Sequence, residues 1–253
     1  MITLILEIEY DGTDFCGWQI QPNGRTVMED IEKAIAKVFG QNVRLVGAGR
    51  TDAGVHAKAM TASSILDFIP RVEEAKAVNA INSQLSQDVR IKKAIYYNGK
   101  FHARFDAMAR EYSYHLLRKV SVFQRKFAYN CTLPIDEEIL FKSAELFLGK
   151  RDFTTFSKIN PSIKNNICDV QVCNWEKVSA DYYILHIKAD HFLYGMVRSI
   201  TGAMLEAARN YKSLEEIKAA LESCDRFNNS VLAPAHGLFF EKAYYPETFK
   251  LSF

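Results

Sequence analysis

The segment Gly47-Ala48-Gly49-Arg50-Thr51-Asp52-Ala53-Gly54-Val55-His56-Ala57 sets a carboxylate beside a cation in a run of small residues. What flanks it decides the fold. A dinucleotide-binding fingerprint would need glycine at position 52 and a helix afterwards, but the chain has Asp52 and then the strand-like stretch Ala59–Phe68. A phosphate-binding P-loop would follow Gly54 with lysine and a hydroxyl residue, where this chain has Val55 and His56. The segment therefore reads as a loop between two strands, Asn42–Val46 and Ala59–Phe68. Glycines at 49 and 54 give the backbone freedom and permit close approach of a ligand. Arg50 beside Asp52 favours the ionised carboxylate that a nucleophile or base requires. From the residues alone an Asx turn pinned by Arg50 is the preferred reading.

Working outward, Ile2–Tyr10 is a strand rich in β-branched residues that ends at the Asp11-Gly12 turn signal. Thr26 and Glu29 have capping-box spacing before Val27, Ile31, Ala34, Ile35 and Val38, and Gly40 closes that helix. A second helix is expected over Arg71–Leu85 and a strand over Val89–Tyr96. The order is β-α-β-β-α-β, the split arrangement of ferredoxin-like domains.

The second half repeats this α+β plan at greater length. A strand is expected at Tyr112–Leu117, a helix capped by Asp136, and a hairpin of Ile167–Trp175 with Tyr182–Ala189. Helices follow at Phe192–Ala208 and, behind a Ser213/Glu216 capping box, at Leu214–Leu221; Leu238–Tyr245 is a closing strand. The repetition puts a boundary near residue 107, giving halves 1–107 and 108–253. Two such halves can share one mostly antiparallel sheet, with a central cleft where they meet.

Composition narrows the function. The 253 residues are 48% apolar and 25% charged, as in ordinary globular proteins. The apolar start Met1–Ile8 lacks a basic leader and contains Glu7, and no apolar run nears the roughly 20 residues that span a bilayer. Five scattered cysteines form no CxxC pair, and the six histidines have no ligand spacing, so neither disulfides nor a metal are expected. A reducing cytoplasmic location fits. The net charge of +2 hides a window, Arg90–Lys126, with ten basic residues against Asp106 and Glu111. Threaded through it are Tyr96, Tyr97, Phe101, Phe105, Tyr112, Tyr114 and Phe123. Cations for phosphates beside rings for bases suggest an RNA-binding surface.

Further stretches join the Asp52 loop in a fixed order. They are Asp11-Gly12-Thr13 with Phe15 and Gly17-Trp18-Gln19; Ala109-Arg110-Glu111-Tyr112-Ser113-Tyr114; Phe192-Leu193-Tyr194-Gly195-Met196-Val197-Arg198 with Gly202; and Ala233-Pro234-Ala235-His236-Gly237-Leu238 before Tyr245-Pro246. Together they resemble the TruA-type tRNA pseudouridine synthases over nearly the whole chain. The chain departs from the pattern at Lys164-Asn165-Asn166, where the family carries an arginine, and matches weakly over Arg151–Pro161.

The resemblance implies the pseudouridine synthase fold and isomerisation of uridine in tRNA, at anticodon-arm positions 38, 39 and 40, without metal or cofactor and in a homodimer. It assigns Asp52 as the catalytic carboxylate, acting as nucleophile or base. By motif position, Tyr112 stacks on the uracil and can assist proton transfer, and Arg198 pairs with Asp52. Arg50 fills the space of the flipped nucleotide or binds its phosphate, and Leu238 lines the uracil pocket. Trp18 and Gln19 buttress the loop, and His56 is a structural hydrogen-bonding residue. The alternatives are a catalytically inactive RNA-binding protein on the same fold and a glycosylase. A glycosylase would have to activate water, commonly through a second carboxylate, and none stands out near the loop.

Overall fold

A computed structural model describes residues 1–158, 165–229 and 231–251. Its elements are β1 (Ile2–Tyr10), α1 (Val27–Phe39), β2 (Val46–Gly47), β3 (His56–Leu66), α2 (Glu74–Asn82), β4 (Val89–Asn98) and β5 (Ala109–Leu117). Then come β6 (Tyr129–Asn130), α3 (Glu137–Glu145), β7 (Gly149–Asp152), β8 (Ile167–Ser179), β9 (Tyr182–Ala189), α4 (Met196–Ala208), α5 (Leu214–Ser223) and β10 (Leu238–Tyr244). The chain forms two units, Met1–Arg110 with Phe239–Phe253, and Glu111–Leu238. Among the described residues no helix is long and apolar enough to cross a membrane.

In the first unit the strand order is β4-β1-β3-β10, with β2 also on β3. β1 is antiparallel to both β3 and β4, and β10 runs parallel to β3 through Phe239↔His56. Leu4, Ile5, Leu6 and Ile8 of β1 are fully buried, as a central strand requires. The register between β1 and β4 slips where Glu7 faces Lys93 and Ile8 faces Ile91. This bulge leaves Lys92 and Lys93 both exposed instead of alternating.

Three sequence expectations in this unit are corrected. The Thr26/Glu29 capping box does not form: the Glu29 carboxylate pairs with Lys33 at 2.7 Å. The first turn of α1 instead donates from Val27 N to Gly17 O and from Met28 N to Trp18 O. The Thr26 hydroxyl is buried with no hydrogen-bond partner among the described residues. The strand expected at Asn42–Val46 shrinks to Val46–Gly47, because Leu45 N donates to Glu32 Oε1 of α1 at 2.8 Å rather than to a neighbouring strand. The helix expected over Arg71–Leu85 is only Glu74–Asn82. At its end the Asn82 amide pairs with both backbone groups of Ile91, which ties α2 to β4. Gly40 does close α1, at φ 66°.

In the second unit the order is β5-β9-β8-β7, with β6 parallel to β5. The expected hairpin is present, β8 pairing antiparallel with β9, and β7 adds antiparallel to β8. Both expected caps form: Asp136 accepts from Ile139 N, and Ser213 with Glu216 makes the reciprocal box. α4 is buried along almost its whole length and begins at Met196 rather than Phe192. The cause is Gly195 at φ 73°, which turns the chain just before the helix. Lys164 and the end of the Arg151–Pro161 loop, where the sequence departs from the family pattern, lie outside the described residues. The β5–β6 and β10–β3 contacts are short and parallel, whereas β1–β3, β1–β4, β2–β3, β7–β8 and β8–β9 are antiparallel.

Candidate active site

The Asp52 loop joins β2 to β3 and is clamped backbone to backbone by the segment after β1. Trp18 N donates to Thr51 O at 3.2 Å, and Gly54 N donates to Phe15 O at 3.4 Å. Val55 N donates back to Asp52 O at 3.2 Å, closing a turn in which Gly54 takes φ 78°. Two glycines permit the approach. A Cβ at Gly12 would lie 2.0 Å from Val55 O, and one at Gly17 would lie 2.6 Å from Thr51 O. The Asp11–Trp18 motif is thus the mould in which the Asp52-loop backbone is cast.

Side chains complete the clamp. Tyr10 and Thr51 share a hydrogen bond of 2.8 Å between hydroxyls, and buried Trp18 packs over Gly47, where a Cβ would meet the indole at 2.7 Å. Arg110, from the basic window, is buried and donates from Nε to Ala48 O at 3.1 Å and from Nη1 to Ala107 O at 3.0 Å. His56 is buried and stacked on Phe239. Its Nδ1 meets Gly12 N at 3.0 Å and lies 3.2 Å from Asp11 Oδ1. His56 therefore ties the β1 turn to β3. Gln19 is exposed, so the buttressing falls to Trp18.

Within this frame Asp52 is half-buried and Arg50 is exposed. Among the described residues Arg50 makes no ion pair with Asp52. The cation beside the carboxylate in sequence is therefore not its clamp, and the guanidinium is presented to solvent.

In the second unit, the segment 233–238 gathers the other assigned residues. Arg198 lies in the first turn of α4. Its Nε donates to Ala233 O at 2.8 Å, and Ala233 N donates to Arg198 O at 2.9 Å, so the arginine stem is fixed at both ends. Tyr114 of β5 is fully buried and donates from its hydroxyl to Pro234 O at 3.0 Å, and burial holds that phenol well above its ordinary pKa. Gly237 packs on Tyr114, its Cβ position 2.8 Å from the ring. Tyr112 lies two residues along the same strand, hence on the same face. It is buried with its ring edge-on to Phe192 at 5.1 Å. Leu238, 4% exposed, follows directly. Burial also lowers the pKa of His236 in this segment, which keeps its imidazole neutral near pH 7.

The Ala233–Leu238 motif thus orients α4 and β5 through carbonyls, which no side-chain chemistry in the sequence announces. The only signal for it was the motif itself.

The basic window divides in the same way. Lys119, Arg125 and Lys126 are exposed, whereas Arg110 is internal and Lys92 lies 3.5 Å from Glu7. Of its rings only Phe105 and Phe123 are exposed, at 75% and 92%. Phe101, Tyr112 and Tyr114 belong to the core.

Comparison with known proteins gives a consistent picture. The sequence pattern of a family described as tRNA pseudouridine synthase matches residues 7–106 and 143–246. The chain is 35% identical over 240 residues to tRNA pseudouridine synthase A of Bacteroides fragilis, covering 95% of each chain. It is 36% identical over 251 residues to the enzyme of that name from a Geobacter species, covering 98% of this chain and 100% of the relative. With that of Bacteroides thetaiotaomicron it shares 36% over 242 residues, 95% of this chain and 89% of the other. Identity at this level over nearly the whole chain shows that it belongs to the tRNA pseudouridine synthase family, as a TruA-type enzyme that isomerises uridine in tRNA.

Proposed function

We propose that the chain isomerises uridines 38, 39 and 40 of the tRNA anticodon arm, with Asp52 as its catalytic carboxylate. The observation that carries the assignment is the clamped loop. A half-buried aspartate is set on a backbone held by the Phe15–Trp18 segment, by Tyr10 and by Arg110, more bracing than a solvated surface turn calls for. Rigid placement is what a catalytic group needs, since a misplacement of about 1 Å can cost roughly 100-fold in rate.

The chemistry follows. The target uridine leaves its stack and enters a pocket. Asp52 promotes cleavage of the glycosidic bond, by attack at the sugar, by attack at the base, or by taking a sugar proton. The uracil turns and rejoins through carbon 5: the C1′–N1 bond breaks and the C1′–C5 bond forms, C5 gives up its proton to solvent and N1 takes one up. Bonds broken and formed balance, so no redox partner or energy source enters.

Tyr112 supplies a ring to stack on the base and a hydroxyl for proton transfer. Arg198, held by its Nε, can present its Nη donors as a fork to a carboxylate. Leu238 offers an apolar wall to the uracil, and exposed Arg50 reaches the displaced nucleotide or its phosphate. No residue in this scheme needs a metal or a cofactor. We assign the working form as a cytoplasmic homodimer, on the strength of the family resemblance, and sedimentation of the free protein tests the dimer.

Site mapping tests the position. In tRNA from cells lacking this protein, pseudouridine should vanish at 38, 39 and 40 and persist elsewhere, and return with the gene. Loss confined to another arm of the tRNA would refute the anticodon assignment while leaving the chemistry intact.

A further inference from the structure

We propose that Cys168, Asp190 and His191 form a binding site for a divalent cation of the zinc class, separate from the residues assigned to isomerisation. These residues have no ligand spacing in the sequence; the β8–β9 hairpin brings them together. Val170 pairs with Ala189, and the next step is held by Asp190 N donating to Asp169 O at 3.1 Å and Asp169 N donating to Asp190 Oδ1 at 2.9 Å. One donor atom from each of the three residues lies within 4.8 Å of the other two.

The spacing suits a specific class of ion. Cys168 Sγ is 3.5 Å from His191 Nε2. A tetrahedral zinc ion with ordinary Zn–S and Zn–N bonds separates sulfur and nitrogen by about 3.6 Å. The Asp190 carboxylate, 3.0 Å from His191 Nδ1, holds the ring with Nε2 toward the thiol. Sulfur and Nε2 are then the protein's donors, the carboxylate orients the imidazole, and water completes the shell. The sulfur donor selects against magnesium and calcium, which take oxygen.

Access and charge agree. Cys168 is fully buried at the floor, while the Asp190 and His191 side chains are 43% exposed, so a cation enters from their side. Asp152 on β7 adds negative charge near the thiol. Burial pushes the Cys168 thiol up to about 12, which argues against a nucleophilic or redox role for the residue in the metal-free protein. Coordination would replace that proton, which passes to solvent. The bound ion would bridge the start of β8 to the chain between β9 and α4, so its effect is on stability. It takes no part in isomerisation, and the inference stands whether or not the Asp52 assignment does.

The test uses full-length protein purified in chelator and titrated with cobalt(II), then with zinc(II) against a chromophoric chelator. The expected result is one ion per chain, a sulfur-to-cobalt charge-transfer band, and a rise in Tm with zinc. The band should disappear in Cys168→Ser, and affinity should fall at least ten-fold in His191→Ala, a half-exposed position where folding is preserved. Asp190→Asn should weaken binding about 10–100-fold. Isomerisation should be unchanged by chelation. Absence of the band in wild type, its persistence in Cys168→Ser, or unchanged zinc affinity in His191→Ala would each overturn the site.

Discussion

Replacing Gly17 by alanine separates two things a glycine can do. Gly17 takes φ 95°, and a Cβ there would lie 2.6 Å from Thr51 O, one residue from Asp52. Holding an L-residue in such a conformation costs about 1–3 kcal/mol. In a protein of this size that lowers Tm by about 2–4 °C per kcal/mol. The clash adds a displacement: relieving it moves the loop backbone by roughly half an ångström, and on the scale of 100-fold per ångström this is about ten-fold in turnover. Gly40 is the control. It takes φ 66° at the end of α1 with nothing within 4 Å of its Cβ position. Gly40→Ala should therefore cost about 1–2 kcal/mol of stability with no loss of turnover. The assay is single-turnover pseudouridine formation on saturating tRNA, beside thermal unfolding of the same preparations. If Gly17→Ala turns over as fast as Gly40→Ala, the loop is not positioned by the Asp11–Trp18 segment.

The basic window yields two opposite outcomes. Lys119→Ala should flatten the salt dependence of tRNA binding by about one unit, read by filter binding across a salt series. Arg110→Ala, which removes a buried donor from Ala48 O and Ala107 O, should lower Tm and leave that slope unchanged. Tyr112→Phe keeps the ring and should retain tRNA binding while losing turnover; wild-type turnover would remove the hydroxyl from the mechanism. His236 has a folded-state pKa below its unfolded value, so its contribution to stability is full above the unfolded pKa and declines as pH falls toward the folded one. His236→Asn should lose less Tm than wild type between pH 7.5 and 5.5, measured by calorimetry, and equal losses would contradict the assignment.

Much of the fold was legible because the hydrophobic period and the end signals agreed. Asp136, Ser213 and Gly40 mark the helix ends that the structure has. Where signals failed, a tertiary partner outcompeted a local one. Thr26 and Glu29 have the right spacing, yet Lys33 and the Gly17-Trp18 carbonyls took their places. Asn42–Leu45 has strand-like residues, but Glu32 took the backbone donor. The loop chemistry was legible as an acid among small residues, although Gly12 and Gly17, which let the Asp11–Trp18 segment approach it, lie outside the loop. Arg50 looked like the partner of Asp52 because it is near in sequence, but it is exposed where Asp52 is half-buried. The roles of Ala233 and Pro234 were invisible because carbonyls carry no residue-type signal.

Asp52→Asn tests the central claim most directly. Asparagine keeps the shape and one acceptor oxygen but lacks the charge and is a poor nucleophile and base. The measurement is isotope release from tRNA labelled at carbon 5 of uridine, beside tRNA binding and thermal unfolding on one preparation. The account predicts wild-type folding and tRNA binding with no detectable release. Release at a rate near wild type from the folded, tRNA-bound Asn variant would contradict it.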